Sequence, residues 1–249
     1  RMLELAFLPE RFKTQQSVVI EEFKQNYLNQ PYGDAYLQLR PLMYTKHPYR
    51  WMTIGKTPDH VAEASMDEVR AFYERFYVPN NATLVVTGGV NVDETFRLAE
   101  KWFGSIPAGK TPKPELPKEP RQSEARRKTV SGPVPSTQVY KAWHTPPRSD
   151  QQYAAWEILG GLLGSGKNAR LYTSLVKDQQ LVSSVSAFNW QLHDSGKFSI
   201  NARLNEGVSV ADYEGALQDV LDSLTNISEE ELQRQQRKLT AEERFHSMR

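Results

Sequence analysis

The chain has no cysteine among its 249 residues. That excludes disulfides, thiolate zinc sites and a cysteine nucleophile, and it leaves cytosol and bacterial periplasm equally open as compartments. Net charge is nearly absent as well. The 31 Lys and Arg against 30 Asp and Glu give +1 at pH 7, so there is no electrostatic footprint for nucleic acid or an anionic membrane surface. Long apolar runs are missing: nothing approaches the roughly 20 residues that span a bilayer, and there is no signal-peptide core. The five histidines are His47, His60, His144, His193 and His246. No two of them share a helical face, so local sequence alone assembles no zinc site. No Gly-x-Ser-x-Gly elbow is present. What remains, 39% hydrophobic and 24% charged residues, is ordinary for a globular protein, with length for one large domain or two of usual size.

Proline is distributed unevenly. Five prolines between Pro107 and Pro120 alternate with Lys and Glu and predict a semi-rigid extended linker over residues 107–123, dividing the chain into units 1–106 and 124–249. In the first unit, helical spacing without Gly or Pro predicts a helix from Glu10 to Tyr27. A second helix is expected over Ala35 to Met43, and the capping box Ser65-Met66-Asp67-Glu68 opens a third through Tyr77. Ala82 to Thr87 reads as a buried strand, Gly88-Gly89 as a turn and Asp93 to Phe103 as a helix. The second unit reads as strands 128–131 and 137–144, helices 152–163 and 169–179, paired strands 183–192 and 197–204, and helices 210–224 and 229 onward, the last opened by Ser228-Glu229-Glu230-Glu231. Strand, Gly-containing turn and amphipathic helix follow in the same order at 83–103 and 198–224, which suggests a duplicated α+β unit. The first unit has too few strands for a sheet of its own. Because the chain begins Arg1-Met2 and ends inside a helical pattern at Arg249, a fragment is expected.

Two segments invite a chemical reading. Gly161-Leu162-Leu163-Gly164-Ser165-Gly166-Lys167-Asn168 imitates a phosphate-binding loop, but a helix precedes it and Asn168 stands where a Mg²⁺-binding hydroxyl is needed, so a helix-to-helix turn is expected rather than a nucleotide site. The other is Val18-Val19-Ile20-Glu21-Glu22. A carboxylate beside aliphatic side chains is costly unless a cation, a metal or a donor compensates it. Residues three and four apart share a face, so Val18 and Val19 flank Glu22, Val19, Phe23 and Tyr27 form an apolar stripe, and Glu21 lies beside Lys24. For such a pair a solvated helix edge is the ordinary arrangement.

Taken in order, these segments are similar to the M16, or insulinase-type, zinc metallopeptidases, which include pitrilysin and the mitochondrial processing peptidases. Gln15 to Glu22 resembles the family segment in which a Glu-Arg pair precedes Val-Val-x-Glu-Glu. His47-Pro48-Tyr49-Arg50 with Ile54-Gly55, and Phe72 to Ala82 running into Leu84-Val85-Val86 and Gly88, resemble two further stretches. Trp143 to Pro147, Leu159 to Gly166 and Ala169-Arg170-Leu171-Tyr172 look like the second domain.

The resemblance implies an α+β fold of two tandem M16/LuxS-like metallopeptidase domains, with antiparallel sheets backed by helices and the first domain truncated at its N-terminus. Residues 1–106 would be the later part of the zinc-bearing domain, and 124–249 an inactive-type repeat. It implies zinc-dependent endopeptidase chemistry on peptides or oligopeptides through a zinc-activated water. An inverted His-x-x-Glu-His motif supplies two ligands and the general base, all expected upstream of Arg1, so no catalytic residue falls within this chain. The third ligand falls on Glu22. Gly164, Ser165 and Gly166 occupy the place of a Gly-rich substrate-contact loop, although a plain turn is an equal reading. Further partners implied are a peptide substrate and a second M16 half, fused or separate. Gln15 departs from the family's second acidic residue. Val176 and Ser183 stand where some members carry a substrate-binding Arg and Tyr, as suits a zinc-bearing half. The alternative is a non-catalytic scaffold or substrate-presenting subunit of the same fold.

Overall fold

In the computed structural model the structure describes residues 5–110 and 115–247; Pro112 and Pro114 of the expected linker lie outside them. The helices in chain order are α1 (Pro9–Phe23), continued by a π-helical turn Lys24–Leu28, α2 (Ala35–Met43), α3 (Pro58–Ala62), α4 (Met66–Phe76) and α5 (Val92–Phe103). Then follow β1 (Gln138–Thr145), α6 (Tyr153–Gly164), a π-helical segment Tyr172–Asp178, β2 (Val182–Trp190), β3 (Gly196–Leu204), α7 (Val210–Asp222) and α8 (Glu229–Ser247). The chain divides into two units, residues 1–33 with 44–121, and 34–43 with 122–249. Helix α2, expected with the first domain, therefore belongs with the second.

Local chemistry explains the helix starts. Ser65 Oγ accepts the Glu68 N–H at 3.2 Å while the Glu68 carboxylate accepts the Ser65 N–H at 2.7 Å, which is the predicted capping box. Asn91 caps α5 by accepting from the Glu94 N–H at 3.0 Å, and Ser209 caps α7 by accepting from the Asp212 N–H at 3.1 Å. Ser228 and Glu231 cap α8 reciprocally. Each cap contributes about 1 kcal/mol by satisfying otherwise unpaired donors.

The first unit is held by few contacts. The Gln16 side-chain amide donates to the carbonyls of Val61, Ala62 and Ala64 at 3.0, 3.2 and 2.8 Å, tying α1 to the end of α3. Phe23, Tyr44 and His47 are buried. The Glu119 carboxylate accepts the backbone N–H groups of Thr45, Lys46 and His47, at 2.7 to 2.8 Å, so this part of the expected linker is fastened to the loop before Pro48. Burial alone would raise the Glu119 pKa, but the three amides and the Thr45 hydroxyl outweigh it and bring it down to about 2.

The expected buried strand 82–87 does not form. These residues are extended and exposed, with Val85 74% accessible. A strand needs a ladder partner and an apolar surface beneath it, and no described residue of this unit provides either. The apolar faces of α4 and α5 are also open, with Phe72, Phe96 and Trp102 all exposed. The strand expected at 128–131 is likewise irregular and exposed.

The second unit carries a three-stranded antiparallel sheet in the order β1-β3-β2. Register aligns Lys197 with His144 on β1 and with Trp190 on β2. Side chains alternate between faces along each strand. On one face Phe198, Ile200, Ala202 and Leu204 join Leu163, Leu171, Leu175, Tyr213 and Leu217 in the core. The other face presents Lys197, Ser199, Asn201 and Arg203 from β3, and α2 lies against it. There the Asn201 side-chain amide donates to the Tyr36 hydroxyl at 3.2 Å, and the Tyr36 ring meets Tyr140 edge-on at 5.9 Å. Lys128 and Arg126 fasten α2 further through the Gln38 side chain and the Leu42 carbonyl.

Lys197 is 5% exposed, with its ammonium 4.2 Å from the centre of the Tyr36 ring and 5.1 Å from that of Trp190. Burial, reinforced by the positive charge of Arg40, pulls its pKa down to about 8. The fold thus disfavours the charged form, fully below pH about 8 and progressively less as pH rises to the ordinary value of 10.5. Lys197→Met is therefore expected to stabilise the second unit at pH 7 by about 1–3 kcal/mol, the lost cation–π contacts setting the lower figure. Urea unfolding at pH 7 and pH 10 checks this: the gain should shrink at the higher pH, and a destabilised variant at pH 7 would contradict it.

Candidate functional site

Helix α1 begins with Pro9 in its first turn, where the missing N–H costs nothing, and runs unbroken to Phe23. Phe23 is 1% exposed and its ring lies 5.3 Å from that of Tyr27, so the predicted apolar stripe is turned inward. That leaves the opposite face to solvent: Val18 and Glu22 are both exposed. Glu21 pairs with Lys24 at 2.7 Å. The Glu22 carboxylate makes no hydrogen bond or ion pair with any described residue. The two adjacent carboxylates are thus physically distinct, one neutralised locally and one presented on an open surface.

The helix widens directly after Glu22. The Asn29 N–H donates to the Lys24 carbonyl at 2.8 Å, five residues back, and the turn Lys24–Leu28 is π-helical. Such turns re-aim side chains and recur at functional sites. Gln15 is exposed on the same helix.

His47 is buried, and its Nδ1 accepts the Tyr49 N–H at 3.2 Å. His144 lies on β1, and His193 is exposed and paired with Asp194 at 2.8 Å. Among the described residues, no three of His, Cys, Asp and Glu stand close enough to hold a metal. A catalytic zinc takes three protein ligands, and the described residues around Glu22 do not complete such a set.

Of the segment 161–168, residues 161–164 are the last turn of α6 and residues 165–168 lead into the next helical segment. A Cβ on Gly164 would collide with the backbone of Ala187, and one on Gly161 with the Gln235 side chain. Gly164 is thus required for close packing of α6 on β2, whereas at Gly161 only the end of the Gln235 side chain would have to shift. Gly166 adopts φ +88°, and the Ser165 hydroxyl is held by Lys238. Ser165 and Gly166 are exposed and Gly164 is half-buried. Val176 lies in the π-helical segment Tyr172–Asp178, and Ser183 on β2.

One cluster went unread in the sequence: Lys197 with Tyr36 and Trp190. Its signal was a lysine on the polar side of an alternating strand, at the parity of Ser199 and Asn201.

Residues 63–239 match the family described as Peptidase M16 inactive domain, and the chain belongs to the M16 peptidase family. It is 31% identical over 222 residues to the zinc protease PqqE of Helicobacter pylori, covering 88% of this chain and 48% of that protein. The crystal structure of a protease from Helicobacter pylori superposes with a TM-score of 0.86 at 28% identity, covering 96% of this chain and 59% of that one. A peptidase M16 inactive domain from Pseudomonas fluorescens shares the fold, with a TM-score of 0.79 at 21% identity, covering 95% of this chain and 57% of that one. The chain spans about half the length of the relatives it matches.

Proposed function

We propose that this chain is part of a zinc-dependent endopeptidase acting on peptides or oligopeptides, with Glu22 as the third zinc ligand. On this reading residues 1–106 belong to the zinc-bearing domain, whose first part lies upstream, and 124–249 form an inactive-type repeat. The observation that carries it is Glu22: an exposed carboxylate without a hydrogen bond or ion pair to any described residue, two residues before a π-helical turn, in a chain 31% identical to a protein named as a zinc protease. The open surface of α4, α5 and residues 82–87 supports the same reading, since upstream strands would pair with that extended segment and cover those helices.

The bound metal would supply a water acidified to near-neutral pKa for attack on the peptide carbonyl. Within this chain, Glu22 would contribute one negative charge at its carboxylate oxygens. The buried Phe23 below it and the fastening of Gln16 to residues 61–64 would fix the direction of that carboxylate.

A second reading is a non-catalytic M16 subunit that presents substrate or serves as scaffold. It is favoured by the family description matched over residues 63–239, which is that of an inactive domain. The test is made on the longer protein that contains this chain. Cleavage of an unfolded peptide, abolished by a chelator and restored by stoichiometric Zn²⁺, is the expected result. A longer protein that binds peptide but neither retains zinc nor cleaves would establish the non-catalytic reading instead.

A further inference from the structure

The Pro-rich segment, expected as a linker, is fastened near both of its ends. Near its start the Asn80 side chain and the Gly109 backbone exchange two hydrogen bonds. Asn80 Nδ2 donates to the Gly109 carbonyl and the Gly109 N–H donates to Asn80 Oδ1, both at 2.8 Å. A Cβ on Gly109 would collide with the Val78 side chain, so the chain passes there with no room for one. Near its end the Glu119 carboxylate sits in a nest of three successive backbone N–H groups, those of Thr45, Lys46 and His47. It also accepts the Thr45 hydroxyl at 2.8 Å. Hydrogen bonds to a carboxylate are about twice as strong as neutral ones.

The place of this nest in the chain matters more than its strength. The backbone passes between the two units at 33/34, at 43/44 and at 121/122. Glu119 stands just before the last passage, and it holds the residues that follow the second. On the other side of both passages the Arg126 guanidinium donates to the Leu42 carbonyl at 2.7 Å. Segments 42–47 and 119–126 are therefore cross-tied twice, once within each unit. Tyr44, at the second passage, is buried, and its ring lies 6.2 and 5.6 Å from those of His47 and Tyr49.

From these ties we infer that Glu119 and Arg126 form a double latch, which joins two of the three chain passages into one two-stranded joint and makes the chain from Gly109 to Glu119 a strap of the first unit. Units connected through exposed flexible segments move relative to one another by default. Residues 120–125, freed of their ties, would span about 13 Å root mean square as a flexible chain. Two strands tied on both sides resist that motion together. The latch is independent of the zinc reading, because neither Glu22 nor a metal takes part in it.

The test uses the full 249-residue chain, whose lack of cysteine lets two be introduced as the sole labelling sites. Glu74→Cys on α4 and Asp219→Cys on α7, both at exposed positions, carry spin labels in the two units, and double electron–electron resonance reads the distance between them. With the latch intact the distance distribution should be narrow. Glu119→Ala should widen it at least about twofold, toward the reach of the freed chain, and Arg126→Ala should widen it as well. Glu119→Gln keeps the size of the side chain but offers the nest one acceptor oxygen and an unwanted pair of donors. It should therefore widen the distribution nearly as much as Ala, with far-UV circular dichroism unchanged. A broad wild-type distribution, or a folded Glu119→Ala chain that stays narrow, overturns the latch. A Glu119→Gln chain as narrow as wild type, beside a widened Glu119→Ala, overturns the carboxylate as its agent and assigns the effect to side-chain packing.

Discussion

If the proposed zinc site is right, Glu22→Gln in a longer protein that includes this chain is expected to lower zinc affinity and peptide cleavage together by more than about a hundredfold. Removing a group that merely supports a metal ligand already costs about 10–100-fold, and a ligand itself should cost more. Gln keeps the size of the side chain and loses the charge. An exposed position with no hydrogen bonds gives it nothing structural to break, so the fold should be unaffected. Glu21→Gln is the matched control. It removes an exposed pair with Lys24, worth about 0.5 kcal/mol at most, and should leave both readouts within about twofold. Metal content by atomic spectroscopy and cleavage of a quenched fluorescent peptide distinguish the cases. A Glu22→Gln protein that keeps one zinc per chain would refute Glu22 as a ligand, whatever its activity.

The helices were legible because their signals are local. Ser65 with Glu68 and Ser228 with Glu231 are capping chemistry contained within a few residues, and the structure realises both. Strands 182–190 and 196–204 were legible because they lie next to one another in sequence and pair together. The segment 82–87 has the apolar composition of a true strand, but a strand depends on a partner that composition does not show. The membership of α2 was hidden for a related reason. Its tie to the second sheet depends on Tyr36, Gln38 and Arg40 meeting residues about a hundred or more positions away. Glu22 could be singled out in the sequence by its neighbours, yet its chemical isolation could not, because only the folded helix separates it from Glu21 and Lys24. Lys197 looked like an ordinary strand residue until the register placed it between Tyr36 and Trp190.

Arg170→Ala should be among the most destabilising single changes in the second unit, costing about 3 kcal/mol. Arg170 Nε and Nη2 donate to the two oxygens of Glu231 at 3.0 and 2.9 Å. Its Nη1 donates to the Ser223 carbonyl at 2.7 Å and its Nη2 to the Asn226 carbonyl at 3.0 Å. One guanidinium thus closes the end of α7, places its charge where that helix dipole favours a cation, and reaches the acidic first turn of α8. Both side chains are mostly buried, at 18% and 24% exposure, so truncation leaves a carboxylate and two carbonyls without their donor. A loss of this size lowers the midpoint of thermal unfolding by about 6–12 °C. Lys in place of Arg should recover only part of it, since a single ammonium cannot span both the carboxylate and the carbonyls. The effect should also depend on pH in a definite direction. The hydrogen bonds from Arg170, and then the Ser228 N–H, hold the Glu231 pKa down at about 2, against an ordinary 4.5. Its contribution is therefore complete above pH about 4.5 and is lost as pH falls toward 2. The gap between wild type and Arg170→Ala should be constant from pH 7 to 5 and narrow below that. A gap that stays unchanged down to pH 2.5 would show that the carboxylate contributes nothing, and the loss would then belong to the two carbonyls.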